Sequence, residues 1–131
     1  MKTPWWLPFG SVPELSPAEL AEALARPRPP QLVDVRSGPE YAAGRIAGAL
    51  HAPVTSLAAR LDALGLDPAR PVVAICLTAH RSIPAVRMLR RLGFDARQLA
   101  GGMLAWRAAG LPEARGAHDP GRPRARAGEE R

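Results

Sequence analysis

Residues 71–84, Pro71-Val72-Val73-Ala74-Ile75-Cys76-Leu77-Thr78-Ala79-His80-Arg81-Ser82-Ile83-Pro84, decide how the chain is read. Their apolar run, PVVAI (71–75), suits a strand buried on both faces of a parallel sheet. It delivers Cys76, the one cysteine of the chain. Beyond Arg81-Ser82, residues Ala85, Met88, Leu89 and Leu92 recur at i, i+3, i+4 and i+7, while Arg87, Arg90 and Arg91 fall off that stripe. This spacing predicts an amphipathic helix ending at Gly93. Ser82 is expected to cap the helix, with Pro84 tolerated in its first turn.

The same alternation continues on both sides of this unit. Ser16-Pro17-Ala18-Glu19 is a capping box with proline at the first helical position, and Leu15 and Leu20 are spaced as a hydrophobic staple. That helix runs through Leu24 and stops before Pro27. QLVDV (31–35) reads as a strand. Ser37-Gly38-Pro39-Glu40 opens a second, short helix ending at Gly44. A brief strand over 48–50, a helix over 55–65, a strand over 95–99 and a last helix over 103–109 follow. Repeated strand–helix alternation implies crossover units and a mainly parallel central sheet flanked by helices, a three-layer α/β/α arrangement.

Composition narrows the class. The 131 residues carry a net charge of +6. One domain is expected, over residues 11–112. Residues 1–10 read as an N-terminal extension, in which Trp5 and Trp6 are expected to pack on the parent domain. Residues 113–131 hold no Val, Ile, Leu, Met or aromatic residue. They are expected to form a disordered polar tail that includes a solvated His118. A lone cysteine excludes an intrachain disulfide and argues against structural zinc, so no metal or cofactor is expected. It also suits a reducing compartment. MKTPWWLPFG lacks the apolar core of a signal peptide, and no apolar run is long enough to span a bilayer. A soluble, cytoplasmic protein is the expectation, with no membrane partner. The arginines are scattered and lack aromatic interleaving, so no nucleic-acid partner is expected either; a basic surface attracting small anions is the milder reading.

Cys76 has two readings. Free cysteine is often a plain buried residue at the end of a core strand. Its setting favours chemistry. In an open α/β sheet, ligands bind beyond the carboxyl ends of the strands. A tight loop between strand end and helix start aims backbone N–H groups inward, and the helix N-terminus adds partial positive charge. Both effects, with Arg81 nearby, favour a thiolate nucleophile.

Three segments resemble the single-domain rhodanese family, the thiosulfate sulfurtransferase-like proteins. LVDVRSGPEYAAGRIAGALHAP (32–53) is similar to the family's first motif, VVAICLTAHRS (72–82) to its Cys-x-x-Gly-x-Arg-Ser strand and loop, and LAGGMLAWRAAGLP (99–112) to its closing Gly-Gly…Trp segment. The resemblance spans nearly all of the foldable chain. It implies that Cys76 carries sulfane sulfur as a persulfide, taken from thiosulfate or from a protein persulfide and passed to a thiophilic acceptor. It further implies that the N–H groups of Leu77, Thr78, Ala79, His80, Arg81 and Ser82 hold the anion, with Arg81 helping to bind the donor.

The family's usual glycine is replaced by Ala79. Either the loop avoids φ > 0 there or it holds strain. His80 reads as a rim residue shaping access, with a proton-transfer or anion-binding role as the alternative. Asp34 ends its strand near the same sheet edge, where it can orient loop backbone. Arg36 is expected to pair with Glu40, or else to line the substrate mouth. His51 and Trp106 are expected to be packed. Two rivals stand beside the sulfurtransferase. A phosphatase or arsenate reductase of related fold uses Cys-x5-Arg, whereas Cys76 to Arg81 is Cys-x4-Arg, a smaller cradle. A persulfide carrier or protein-interaction module without turnover is the other.

Overall fold

The computed structural model describes residues 11–116; Trp5, Trp6 and His118 lie outside them. In chain order the elements are β1 (Glu14–Leu15), α1 (Pro17–Leu24), β2 (Gln31–Asp34), α2 (Gly38–Ala43), β3 (Leu50–His51), a 3-10 turn (Val54–Ser56) running into α3 (Leu57–Leu64), β4 (Val72–Ile75), α4 (Ser82–Arg91), β5 (Ala96–Leu99) and α5 (Gly102–Ala108). The five strands form one sheet in the order β1-β5-β4-β2-β3, and every pairing is parallel.

Why β4 is central follows from its sequence. Val72, Val73, Ala74 and Ile75 are all fully buried, as a strand covered on both faces must be. Side chains alternate across the sheet. Val72, Ala74 and Cys76 join Val33, Leu57, Val86 and Leu89 in one core, which packs α3 and α4 on that face. Val73 and Ile75 join Leu20, Leu99, Met103 and Trp106 in the other, which packs α1 and α5. Cys76 therefore belongs to the α4 side, and that parity brings its sulfur to the start of α4.

Both expected capping boxes are present: Ser16 with Glu19, and Ser37 with Glu40. The last helix of the sequence reading begins one residue earlier than expected. Strand β1, only two residues long, carries too little periodic signal to be read from sequence; it pairs with β5 at Glu14↔Gln98 and Leu15↔Leu99. The folded body also extends past Pro112. Ala114 is buried and exchanges both backbone hydrogen bonds with Arg45, at 2.9 and 2.7 Å, and the Gly116 N–H reaches the Ala42 carbonyl. Backbone pairing needs no apolar side chain, so composition alone put the end of the fold too early.

Candidate active site

Cys76 follows β4 directly and is buried. Six residues later the chain returns to it: the Cys76 thiol donates to the Ser82 hydroxyl at 3.5 Å. The loop 76–82 thus begins and ends at the sulfur. Its carbonyls are tied down. Met103 N–H donates to Cys76 O at 2.8 Å and Leu104 N–H to Leu77 O at 3.1 Å, while Ile83 N–H donates to His80 O at 3.3 Å. The first two bonds cap the start of α5, whose earliest N–H groups have no partner inside the helix. Among the described residues, no backbone or side-chain acceptor takes the N–H groups of residues 77–81. Leu77, Ala79 and Arg81 are half-buried and Thr78 and His80 exposed, so these donors are open to an external acceptor, water or an anion.

The close approach of α5 requires glycine. Gly102 has φ +61°, and a Cβ there would collide with Cys76 O and with the Leu77 carbonyl group. At the loop apex, Ala79 has φ +76°, in the left-handed region that alanine resists. The second of the two conformations left open by the sequence, a loop that holds strain, is the one adopted. Thr78 Oγ1 and His80 Nδ1 lie 2.9 Å apart across Ala79 and brace it from both sides. His80 is exposed, as a rim residue would be.

Ser82 does not cap α4. The residue before the helix is Arg81, at φ −70° and ψ −20°, with no side-chain cap. Ser82 is the first helical residue, and its fully buried hydroxyl donates to Gln98 Oε1 at 2.7 Å. A buried amide oxygen draws it away from the backbone.

The charged residues pair differently from expectation. Arg36 does not pair with Glu40. It forms a bidentate pair with Asp34, Nε to Oδ1 at 2.9 Å and Nη2 to Oδ2 at 2.8 Å, and its Nη2 also donates to Gly44 O at 2.7 Å. Asp34 is fully buried and Arg36 nearly so. Arg36 consequently does not line a mouth, and the Asp34 carboxylate orients Arg36, including its backbone N–H at 3.1 Å, in place of the cysteine loop. The reason is sequence proximity: two residues apart at a strand end, the pair closes on itself. His51 is packed as expected, stacked on Tyr41 with ring centroids 4.5 Å apart and hydrogen-bonded through Nε2 to Arg36 O at 2.8 Å. Trp106 is in the core and donates to Pro112 O at 2.8 Å.

Glu40 pairs across the site with Arg81. The contact is bidentate, at 2.7 Å and 2.8 Å. Hydrogen bonding to Arg81, opposed by desolvation and aided by Ser37, lowers the Glu40 carboxyl from its ordinary range to about 2. The Arg81 guanidinium is correspondingly raised, first by its bond to Glu40, against an opposing desolvation, and further by the charge of Glu40. Sequence reasoning placed Glu40 in a cap and in a pair with Arg36, not with Arg81. It missed Gln98 and Glu14 altogether; the available signal was a polar residue, Gln98, at an otherwise buried position of ARQL (96–99).

A sizeable groove lies elsewhere. It has a volume of about 1170 Å³, is lined by Leu24, Leu32, Ile46, Trp106 and Ala114 among others, and includes no residue of the loop 76–82. Among the described residues no group of three or more His, Cys, Asp or Glu side chains is placed to hold a metal ion, and no helix is long and apolar enough to cross a membrane.

Comparison with known proteins gives a consistent picture. The family model described as a rhodanese-like domain matches residues 16–109. An HTH-type transcriptional regulator of Mycobacterium tuberculosis is 47% identical over 88 residues, which are 66% of this chain and 38% of the regulator, so the chain spans well under half of that relative. A thiosulfate sulfurtransferase of Pseudomonas fluorescens is 39% identical over 92 residues, 70% of this chain and 82% of that one. The solved polysulfide-sulfur transferase homodimer of Wolinella succinogenes is 34% identical with a TM-score of 0.69, covering 81% of this chain and 80% of its own.

Proposed function

The chain belongs to the rhodanese-like domain family, and from that premise we propose that it is a sulfurtransferase carrying sulfane sulfur on Cys76. The observation that carries this reading is the loop 76–82, which starts and ends at the Cys76 sulfur and leaves the N–H groups of residues 77–81 without a protein acceptor.

In the first step the Cys76 thiolate attacks the outer sulfur of thiosulfate or of a donor persulfide. A new S–S bond forms at Cys76. The donor's S–S bond breaks, and its electron pair leaves with sulfite or with the donor thiolate. The charge of the resulting persulfide lies on the outer sulfur, where fixed N–H dipoles stabilise it as an oxyanion hole does. In the second step an acceptor nucleophile, cyanide or a thiolate, attacks the outer sulfur, and the S–S pair returns to Cys76 as thiolate. No net oxidation or reduction is needed, and no cofactor takes part. Arg81 is held by Glu40 through one hydrogen on each terminal nitrogen; its Nε and the remaining hydrogens are free to meet an anionic donor.

The carrier without turnover is favoured by one observation: a relative 47% identical to this chain is named a transcriptional regulator. One experiment separates the readings. The protein is incubated with thiosulfate, Cys76 is examined for the mass of one added sulfur, and thiocyanate is assayed after cyanide. Loading with turnover is the expected result. Loading without turnover assigns a carrier. Failure to load from thiosulfate, polysulfide or a persulfide donor overturns the reading.

A further inference from the structure

A chain of hydrogen bonds, buried at its inner links, leads from the Cys76 sulfur to β1. Cys76 Sγ donates to Ser82 Oγ at 3.5 Å, Ser82 Oγ donates to Gln98 Oε1 at 2.7 Å, and Gln98 Nε2 donates to Glu14 Oε2 at 3.0 Å. Register explains the alignment. Gln98 is the partner of Ala74 in β4 and of Glu14 in β1, and Cys76, two residues beyond Ala74, projects to the same face. Ser82 is fully buried and Gln98 nearly so, while Glu14 is exposed.

Each link has a fixed direction. An ionised carboxylate only accepts, so Glu14 turns the Gln98 amide nitrogen toward itself and the amide oxygen toward Ser82. That oxygen only accepts, so it takes the single hydroxyl proton of Ser82. Ser82 is left with lone pairs toward the sulfur. A thiol satisfies them by donating S–H. The inner sulfur of a persulfide, which carries neither proton nor charge, does not repel them. A bare thiolate meets oxygen lone pairs, unless the hydroxyl turns to it and abandons the buried Gln98 oxygen.

We propose that Glu14 and Gln98 are positioning residues that act through Ser82 to favour the protonated or sulfur-loaded Cys76 over its bare thiolate. This rests on the sulfurtransferase reading only for the loaded state. It makes the network a brake on unloading: when an acceptor takes the outer sulfur, the electron pair returns to an inner sulfur that Ser82 does not help. The other charged and titratable groups around the sulfur are Arg81 and His80 on the loop, the Asp34–Arg36 pair at β2 and Glu40 on α2. None of these is altered by the substitutions that follow.

The test is the pH profile of Cys76 alkylation by iodoacetamide, which needs no sulfur donor and so stands apart from the sulfurtransferase reading. Gln98→Met keeps the length of the side chain and removes the acceptor, freeing the Ser82 hydroxyl for the thiolate. The profile is expected to move to lower pH, with alkylation about tenfold faster on its acid limb. Glu14→Ala, at an exposed position that does not threaten folding, releases the amide to turn over and is expected to give a smaller shift in the same direction, roughly threefold. Loss of labelled sulfur from the loaded Gln98→Met protein to glutathione is expected to be faster by a similar factor. In a Ser82→Ala background neither substitution should move the profile. An unmoved or higher profile in Gln98→Met and Glu14→Ala, or an equal shift without Ser82, overturns the proposal. If Gln98→Met does not fold, the direction seen in Glu14→Ala decides.

Discussion

Replacing Ala79 with glycine should stabilise the protein. The loop is pinned on both sides of this residue, at Cys76 O and Leu77 O by α5 and at His80 O by Ile83. The peptide units between must reverse direction, and Ala79 does so at φ +76°. An L-residue in that region costs about 1–2 kcal/mol. Glycine removes this cost and loses about 0.5–1 kcal/mol through the greater freedom of its unfolded chain. The net gain is about 0.5–1 kcal/mol, or roughly 2–4 °C in Tm for a domain of this size. Valine makes the opposite case. A β-branched side chain at this φ is a far rarer conformer, and Ala79→Val should lose at least about 1 kcal/mol. Both values come from urea unfolding followed by circular dichroism, with m-values compared to confirm that the unfolded states match. Sulfur loading from thiosulfate should survive Ala79→Gly, because the backbone path is unchanged. A glycine variant no more stable than wild type, or a valine variant equal to it, refutes the account of the loop as held under strain.

Three further outcomes are expected. Gly102→Ala should cost about 2–4 kcal/mol and abolish sulfur loading, since the new methyl collides with Cys76 O and Leu77; urea unfolding and mass spectrometry read the two effects. Asp34→Ala leaves the buried Arg36 guanidinium unpaired and should destabilise by about 3–5 kcal/mol, measured in the same unfolding experiment. For Glu40→Gln, the folded carboxyl lies at about 2 against an ordinary 4.5, so its contribution is present above the unfolded value and is lost as pH falls through the folded one. With the two side chains 30% and 39% exposed, solvent screening limits it to about 1 kcal/mol. The stability difference between wild type and Glu40→Gln should hold steady from neutral pH to about pH 5 and shrink toward zero as the pH falls from there to about 2.

Local signals read well from sequence because each had its cause nearby. The capping boxes at Ser16 and Ser37 involve residues three apart. The buried run of β4 and the stripe of α4 are patterns within one element. What stayed hidden depends on tertiary neighbours. Glu40 meets Arg81 across 41 positions, and Glu14 meets Gln98 across 84. Nothing local distinguishes Glu40 as a capping residue from Glu40 as an ion-pair partner, because it is both. Ser82 is the instructive error. A serine before an amphipathic run is a sound cap, and it was displaced only because β5 places a buried amide oxygen 2.7 Å from its hydroxyl. The residues bordering Cys76 were legible as a loop, whereas their partners were not.

The pairing of the two arginines bears on which anion the site suits. Arg36 and Arg81 both come from segments that border Cys76, and each is matched by a carboxylate in a bidentate contact. The chain's net charge of +6 is therefore not concentrated at the sulfur. What remains for an anion is the set of N–H groups on residues 77–81, the partial charge at the start of the ten-residue α4, and the Arg81 Nε and outer hydrogens that Glu40 does not engage. The loop and helix together amount to roughly half a unit of positive charge plus oriented dipoles. That suits a single delocalised negative charge on one sulfur atom. A phosphoryl group is attacked at phosphorus, so its three oxygens must enter the cradle and would need a wider loop, whereas thiosulfate is attacked at its outer sulfur and keeps its three oxygens outside. Hence a generic aryl phosphate should not be turned over even where thiosulfate loads Cys76. Hydrolysis that disappears in Cys76→Ser would mean that Arg81 leaves Glu40 when the substrate binds, and that the resting ion pairs do not decide the chemistry.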